Sequence, residues 1–278
     1  MPAFDTPEPL SVTLEFDMGA ARLTAGKRLD TVVEVRPHDP ADEADIRAAE
    51  QTKVSCSGGT LMVKGPKKRG LFGKPGSIEV TIELPAGSDL QATSPLADFL
   101  CEGRLGDCRV KTSLGDIQVD EAAAAHLRTS HGDVRLARAT GEADVVGSGR
   151  VEIGTVAGAA TVKNGNGDTV VGEVVGELRA TSSNGLISVG VAHAGVDAKS
   201  ANGSIRIDEA VRGQIGLQAA TGDVEVGVRE STAAWLDVHT RFGTVHTSLG
   251  PAEGPEASEE TVEIRARTAF GDIVIRRA

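Results

Sequence analysis

Glycine returns in this chain at a nearly constant interval. Gly115, Gly132, Gly149, Gly167, Gly185, Gly203, Gly222, Gly243 and Gly271 are spaced by 17, 17, 18, 18, 18, 19, 21 and 28 residues. A period of this length marks a stacked repeat, in which no single unit buries its own apolar face. The residues around each glycine agree. Two positions on stand Ile117, Val134, Val151, Ile187, Ile205, Val224, Val245 and Ile273, with Thr169 in one coil. Four positions on stand Val119, Leu136, Ile153, Val171, Val189, Ile207, Val226 and Ile275, with Thr247 in another. Alternate residues of a strand share a face, so both columns point inward together. Three positions before the glycine lie Thr112, Thr129, Asn164, Ser182, Ser200, Thr240 and Thr268. They have the inward parity, which puts small polar groups at the border of the core.

A second glycine often follows about half a period later: Gly106, Gly141, Gly158, Gly176, Gly195 and Gly213. Each unit therefore reads as strand, corner, strand, corner. Glycine suits corners because it takes positive φ without steric cost. The predicted fold is all-β: a single-stranded parallel β-solenoid (β-helix) of about ten ~18-residue coils, with a small N-terminal β-rich cap. An antiparallel sandwich with turns every half period is the rival. It gives no reason for like residues to recur in columns.

The organisation along the chain follows. Residues 1–9 are Pro-rich and expected to be loose; 10–90 form the cap region; 91–278 form the repeats, with an acidic Pro/Gly-rich loop at 250–260. Strand-like runs in the cap are Ser11–Phe16, Ala21–Thr24, Thr31–Arg36, Lys53–Ser57, Thr60–Lys64 and Ser77–Leu84. Asp39 and Pro40 look like the start of a helix that ends near Gln51. A degenerate first coil is centred on Ala97, with Phe99 and Cys101 as its inward pair. Trp235, the one tryptophan, is expected to plug the end of the core where the coil lengthens.

Composition narrows the function. Lys+Arg is 29 against Asp+Glu 40, a net charge of −11, which excludes a general nucleic-acid binder. Aromatics are 3% with no tyrosine, so stacking platforms for bases or sugars are scarce. Cys56, Cys101 and Cys108 are an odd, sparse set that suggests a reducing compartment. The first sixteen residues carry neither a basic start nor a long apolar run, so a cytoplasmic protein is expected.

Candidate sites are few. Lys67, Lys68, Arg69, Leu71, Phe72 and Lys74 form a basic loop with an apolar tip, suited to an anionic membrane surface or a partner; the plainer reading is a hairpin tip folded back on the cap. Asp116, Asp133, Asp168, Asp223 and Asp272 follow repeat glycines and raise the question of Ca²⁺. The column is broken in other coils, and aspartate also supports turns through its own backbone, which is the preferred reading. His126 and His131 flank a corner without a third ligand; His239 and His246 lie on opposite strands of one coil. Gly165-Asn166-Gly167-Asp168 resembles part of a phosphate loop but opens no helix. No catalytic residue, cofactor site or metal site is read, and no groove column of Asp, Arg or His recommends a carbohydrate-active enzyme.

The segments TSLGDIQV, TSHGDVRL, NGNGDTVV, ATGDVEV and TAFGDIVI, with TAAWLDVHTRFGTV, TVVEVRP and TIELPAGS, resemble the actinobacterial DUF4097 family of adhesin-like "toastrack" repeat proteins. The resemblance runs from about residue 11 to the end. It implies a parallel β-solenoid without known catalytic residues, whose relatives are linked to envelope stress and membrane transport. The expected function is a non-enzymatic scaffold for an unknown protein partner, peripheral to the inner membrane face. Self-association through the coil edges is a further expectation, and an exported adhesin is the alternative.

Overall fold

The computed structural model describes residues 2–66, 76–250 and 260–278, and the chain divides into two compact units, Met1–Thr140 and Gly141–Ala278. The first unit contains β1 (Ala3–Asp5), β2 (Ser11–Glu15), β3 (Met18–Gly26), β4 (Asp30–Pro37), α1 (Glu43–Gln51), β5 (Lys53–Ser57), β6 (Thr60–Lys64), β7 (Ile78–Pro85), β8 (Asp89–Leu114), β9 (Ile117–Arg128) and β10 (Val134–Ala139). Its later coils follow the periodic columns. Phe99 and Cys101 of β8 stand in parallel register with Ile117 and Val119 of β9, and these with Val134 and Leu136 of β10. All six are buried. The coil centred on Ala97 is therefore present, with the inward pair that the sequence indicates.

The cap region is partly made of coils. β2 pairs in parallel with both β6 and β8, and β3 with both β7 and β8. Gly19 lies opposite Ala97 at φ 143°, so it occupies the repeat-glycine position. The period misses it because β4 to β7 are inserted before the chain returns. Coil β6–β7 consequently lies outside coil β2–β3, although it comes later in sequence. Antiparallel strands close that outer side: β5 on β6, β4 on β7, and β1 on β4.

Two local expectations are corrected. The N-terminus is not loose throughout: Ala3–Asp5 pairs with Asp30–Val32, and Pro2, which lacks an N–H, still accepts from Val33 N at 3.0 Å. The helix starts later than Asp39. Asp42 is its N-cap, accepting from Ala44 N at 2.7 Å, while Asp39 closes the preceding turn by accepting from Ala41 N at 2.8 Å.

The second unit contains β11 (Ala143–Gly147), β12 (Val151–Val156), β13 (Ala160–Asn164), β14 (Thr169–Val174), β15 (Leu178–Asn184), β16 (Ile187–Ala192), β17 (Val196–Asn202), β18 (Ile205–Ala210), β19 (Gly213–Thr221), β20 (Val224–Val228), β21 (Thr232–Phe242), β22 (Val245–Thr247), β23 (Glu260–Phe270) and β24 (Ile273–Arg277). All are parallel and form two sheets, one strand of each per coil. One sheet runs β11, β13, β15, β17, β19, β23, β21; the other runs β12, β14, β16, β18, β20, β24, β22. Ile187, Ile205, Val224 and Ile273 stand in successive register, all fully buried. This is the dry column that the spacing predicts.

The spatial order departs from chain order at this end. β23–β24 stacks directly on β19–β20, and β21–β22 lies outside it. Two glycines that look consecutive, Gly222 and Gly243, are thus separated by the coil of Gly271. The widened intervals of 21 and 28 residues record this interleaving. The glycines themselves are under two constraints. At Gly203 φ is 149°, and a Cβ would lie 2.1 Å from the carbonyl oxygen of Gly185 in the next coil. At Gly176, in the half-period column, φ is not positive, but a Cβ would lie 2.5 Å from the oxygen of Gly158. Close coil-to-coil approach, and not only backbone handedness, selects glycine at the corners.

Candidate functional site

The aspartates after the repeat glycines are engaged in the stack. Asp98 Oδ1 accepts from Asp116 N, and Asp116 Oδ1 accepts from Asp133 N, each at 2.8 Å. Asp168 accepts from Leu186 N at 3.0 Å, and Asp223 from Asp272 N at 2.9 Å. In the next coil Thr244 N and its hydroxyl both donate to Asp272 Oδ1, at 2.7 and 2.9 Å. These two bonds hold the Asp272 carboxyl below the usual carboxylate range. Each carboxylate thus ties its own corner to the corner of a neighbouring coil. The sequence reading gave aspartate the support of its own turn; the bond instead crosses the layer. Among the described residues no three His, Cys, Asp or Glu side chains are gathered to hold a metal ion.

A second ladder runs beside it. Asn184 Nδ2 donates to Asn166 Oδ1 at 2.9 Å, and Asn202 Nδ2 to Asn184 Oδ1 at 3.1 Å. The signal was available as asparagine immediately before Gly167, Gly185 and Gly203. The segment that resembles a phosphate loop is one rung of this ladder. Inside the corners, Thr129 Oγ1 donates to the Gly115 carbonyl at 3.0 Å, Thr268 Oγ1 to that of Gly222 at 2.9 Å, and Thr240 Oγ1 to that of Gly271 at 2.8 Å. Threonine in the small polar column thus binds glycine carbonyls across coils, whereas the buried hydroxyls of Ser182 and Ser200 have no partner among the described residues.

The histidines are dispersed. His38 Nδ1 contacts Glu79 Oε1 at 3.2 Å, His193 Nε2 contacts Glu173 Oε1 at 2.8 Å, and His246 Nε2 contacts Thr244 Oγ1 at 3.0 Å. Cys101 and Cys108 are buried together. Donation of the neutral Cys101 thiol to Cys108, together with the dry surroundings, pushes the Cys101 thiol well above its ordinary value. Lys67, Lys68, Arg69, Leu71, Phe72 and Lys74 lie outside the described residues. Trp235 does not plug the core: it is exposed and stands opposite Glu263, on the outer face of β21. The inward neighbour is Leu236, opposite Ile264.

A groove of about 610 Å³ crosses the outer face of β13, β15, β17, β19 and β23. Its floor is the register row Thr161, Arg179, Asp197, Gly216 and Arg265. Gly216 has no side chain, which opens a gap between Asp197 and Arg265. Arg179 Nε lies 3.7 Å from Asp197 Oδ2, and Arg265 pairs with Glu263. The floor alternates in charge, Glu177 and Glu263 stand beside it, and the lining carries no aromatic ring. Such a surface suits a polar, charge-bearing chain segment.

The model of the family described as Toastrack DUF4097 matches residues 41–276, most of the length just described. The chain belongs to this family. A Toastrack DUF4097 assignment accords with the stacked β coils. Among solved structures, a putative adhesin from Bacteroides fragilis aligns at 14% identity and a TM-score of 0.36, over 99% of this chain and 95% of that one. A putative cell adhesion protein from Clostridium sporogenes aligns at 10% identity and a TM-score of 0.24, over 100% and 98%. No curated protein matches the chain. No helix among the described residues is long and apolar enough to cross a membrane.

Proposed function

We propose that this Toastrack DUF4097 chain is a non-enzymatic interaction scaffold that holds a protein partner along an outer sheet face. The observation that carries the reading is the groove over Thr161, Arg179, Asp197, Gly216 and Arg265. It is a fixed row of opposite charges on rigid strands, and it places no nucleophile beside a base. Charged rows of this kind set partner choice and register more than raw affinity. The proposed setting is the cytoplasm, at the inner face of the envelope, in service of an envelope-stress or transport system. The basic loop Lys67, Lys68, Arg69, Leu71, Phe72 and Lys74 would supply a peripheral contact with anionic lipid.

The test is affinity capture from native cells with the intact chain and with the double variant Arg179→Glu/Arg265→Glu. A protein retained reproducibly by the first and lost by the second supports the reading. Equal retention by both removes the groove from it. Sedimentation with vesicles of anionic lipid, comparing the intact chain with a Lys67/Lys68/Arg69 charge-reversed variant, tests the membrane contact. Cell fractionation that finds the protein outside the cytoplasm would favour the exported adhesin instead.

A further inference from the structure

The two ends of the coil stacks are finished differently. In the first unit the outermost coil, β6–β7, has antiparallel strands on its outer side, and Leu61, Val63, Val80 and Ile82 are buried. In the second unit no described residue pairs with the outer side of β21 or β22. The inward positions there are left incomplete. Ala234, Leu236 and Val238 are only half-buried, whereas their register partners Val262, Ile264 and Ala266 are 2%, 0% and 0% exposed. Val245 is 42% exposed above a fully buried Ile273. An unblunted edge strand of 11 residues beside unfinished core is a template for another strand.

The edge is also self-complementary. The Phe242 carbonyl accepts from Gly271 N at 3.0 Å, so that residue turns its backbone groups toward the neighbouring coil. Direction alternates along a strand, so Trp235, Asp237, His239 and Arg241 turn theirs to the open side. Their side chains share the outer face, since Trp235, Asp237 and His239 stand opposite Glu263, Arg265 and Arg267. An antiparallel pairing centred on Asp237 would oppose two like charges. One centred on Leu236 would set Trp235 against aspartate. A pairing centred on Val238 sets Asp237 opposite the partner's His239, Trp235 opposite the partner's Arg241, and Leu236 opposite the partner's Thr240. By symmetry each contact occurs twice.

We infer that a second copy of this chain caps the open end, the two β21 strands pairing antiparallel about a two-fold axis at Val238. The axis is perpendicular to both sheets, so β22 meets its own counterpart in the same way. Asp237 keeps its bridge to Arg267 (3.5 Å) and offers its other oxygen to the partner's His239. Arg241 lies 5.4 Å from the Phe242 ring and, across the axis, reaches the partner's Trp235. The union is closed, so the assembly stops at two.

Sedimentation velocity on the full chain over a range of concentrations tests this. The expected result is a monomer–dimer equilibrium that grows no further. His239→Asp should raise the dissociation constant about tenfold, by opposing two pairs of carboxylates. The exchange Asp237→His/His239→Asp should restore it. Val238→Cys should form an intermolecular disulfide on mild oxidation, and Ala234→Cys should not, because within β21 the axis brings only position 238 against itself. Circular dichroism confirms that each variant is folded. A chain that stays monomeric at every concentration overturns the inference, as does growth into longer polymers. A dimer indifferent to His239→Asp, or not rescued by the exchange, overturns the pairing.

Discussion

At the residue scale the corners are set by steric contact between coils. Gly203 combines φ 149° with a carbonyl oxygen 2.1 Å from where a Cβ would stand. Gly203→Ala should therefore cost about 2 kcal/mol or more in denaturant unfolding. Gly26→Ala, with nothing within 4 Å and no positive φ, should change little in the same assay. The periodic glycines were legible in the sequence, but half of their reason was not. Positive φ can be argued from one corner alone; the close carbonyl belongs to a coil some eighteen residues away. The same holds for aspartate, whose acceptor role toward the next layer shows only once the layers are in register. Cys101 gives a second prediction at this scale. Its neutral thiol, raised by Cys108 and by burial, should resist iodoacetamide in the native protein at pH 8, while Cys56, only partly buried, is modified. Linkage has the matching sign. A thiol whose folded value is raised favours the fold below the ordinary thiol value and loses that contribution as the pH rises past it. Alkylation of Cys101 as fast as Cys56 would show that the core opens.

At the element scale the strands are held by inward columns that no single strand can bury. Ile205 is fully buried between Ile187 and Val224. Ile205→Asp should cost more than about 3 kcal/mol, measured by thermal or denaturant unfolding, because the column supplies no partner for a charge. A variant that melts with the parent would mean that Ile205 is not in the core. This part of the fold was legible because the second unit repeats with one strand of each sheet per coil. The first unit was less so. Its β2 and β3 share the columns, but β4 to β7 separate them from the rest by more than a period. Trp235 was misread for a related reason: the lengthened coil suggested a gap to fill, whereas the odd-numbered positions of β21 face outward. The groove was not legible at all, since it depends on Gly216 standing between Asp197 and Arg265 in three different strands.

At the scale of the whole molecule, each unit ends in a coil that is outermost in space without being outermost in sequence. β23–β24 joins β19–β20 on one side and β21–β22 on the other. Removing residues 260–278 should therefore do more than trim an end. It deprives β21–β22 of its only described partner strands and bares the buried faces of β19–β20. A chain ending at residue 250 should unfold at a lower temperature than one ending at residue 230, although it is longer. Differential scanning calorimetry of the two truncations checks the order. The reverse order would mean that β21–β22 packs on β19–β20 once the intervening coil is gone.

That interleaving bears on how the protein is made. A ribosome delivers residues 232 to 250 before the layer on which they rest exists. Residues 260 to 278 emerge afterwards and must slip into a slot already bounded on one side by finished structure. The layer is thus left open until residues 260 to 278 have left the ribosome, and a message cut short before them yields a chain with a raw, sticky flank that cellular proofreading can recognise.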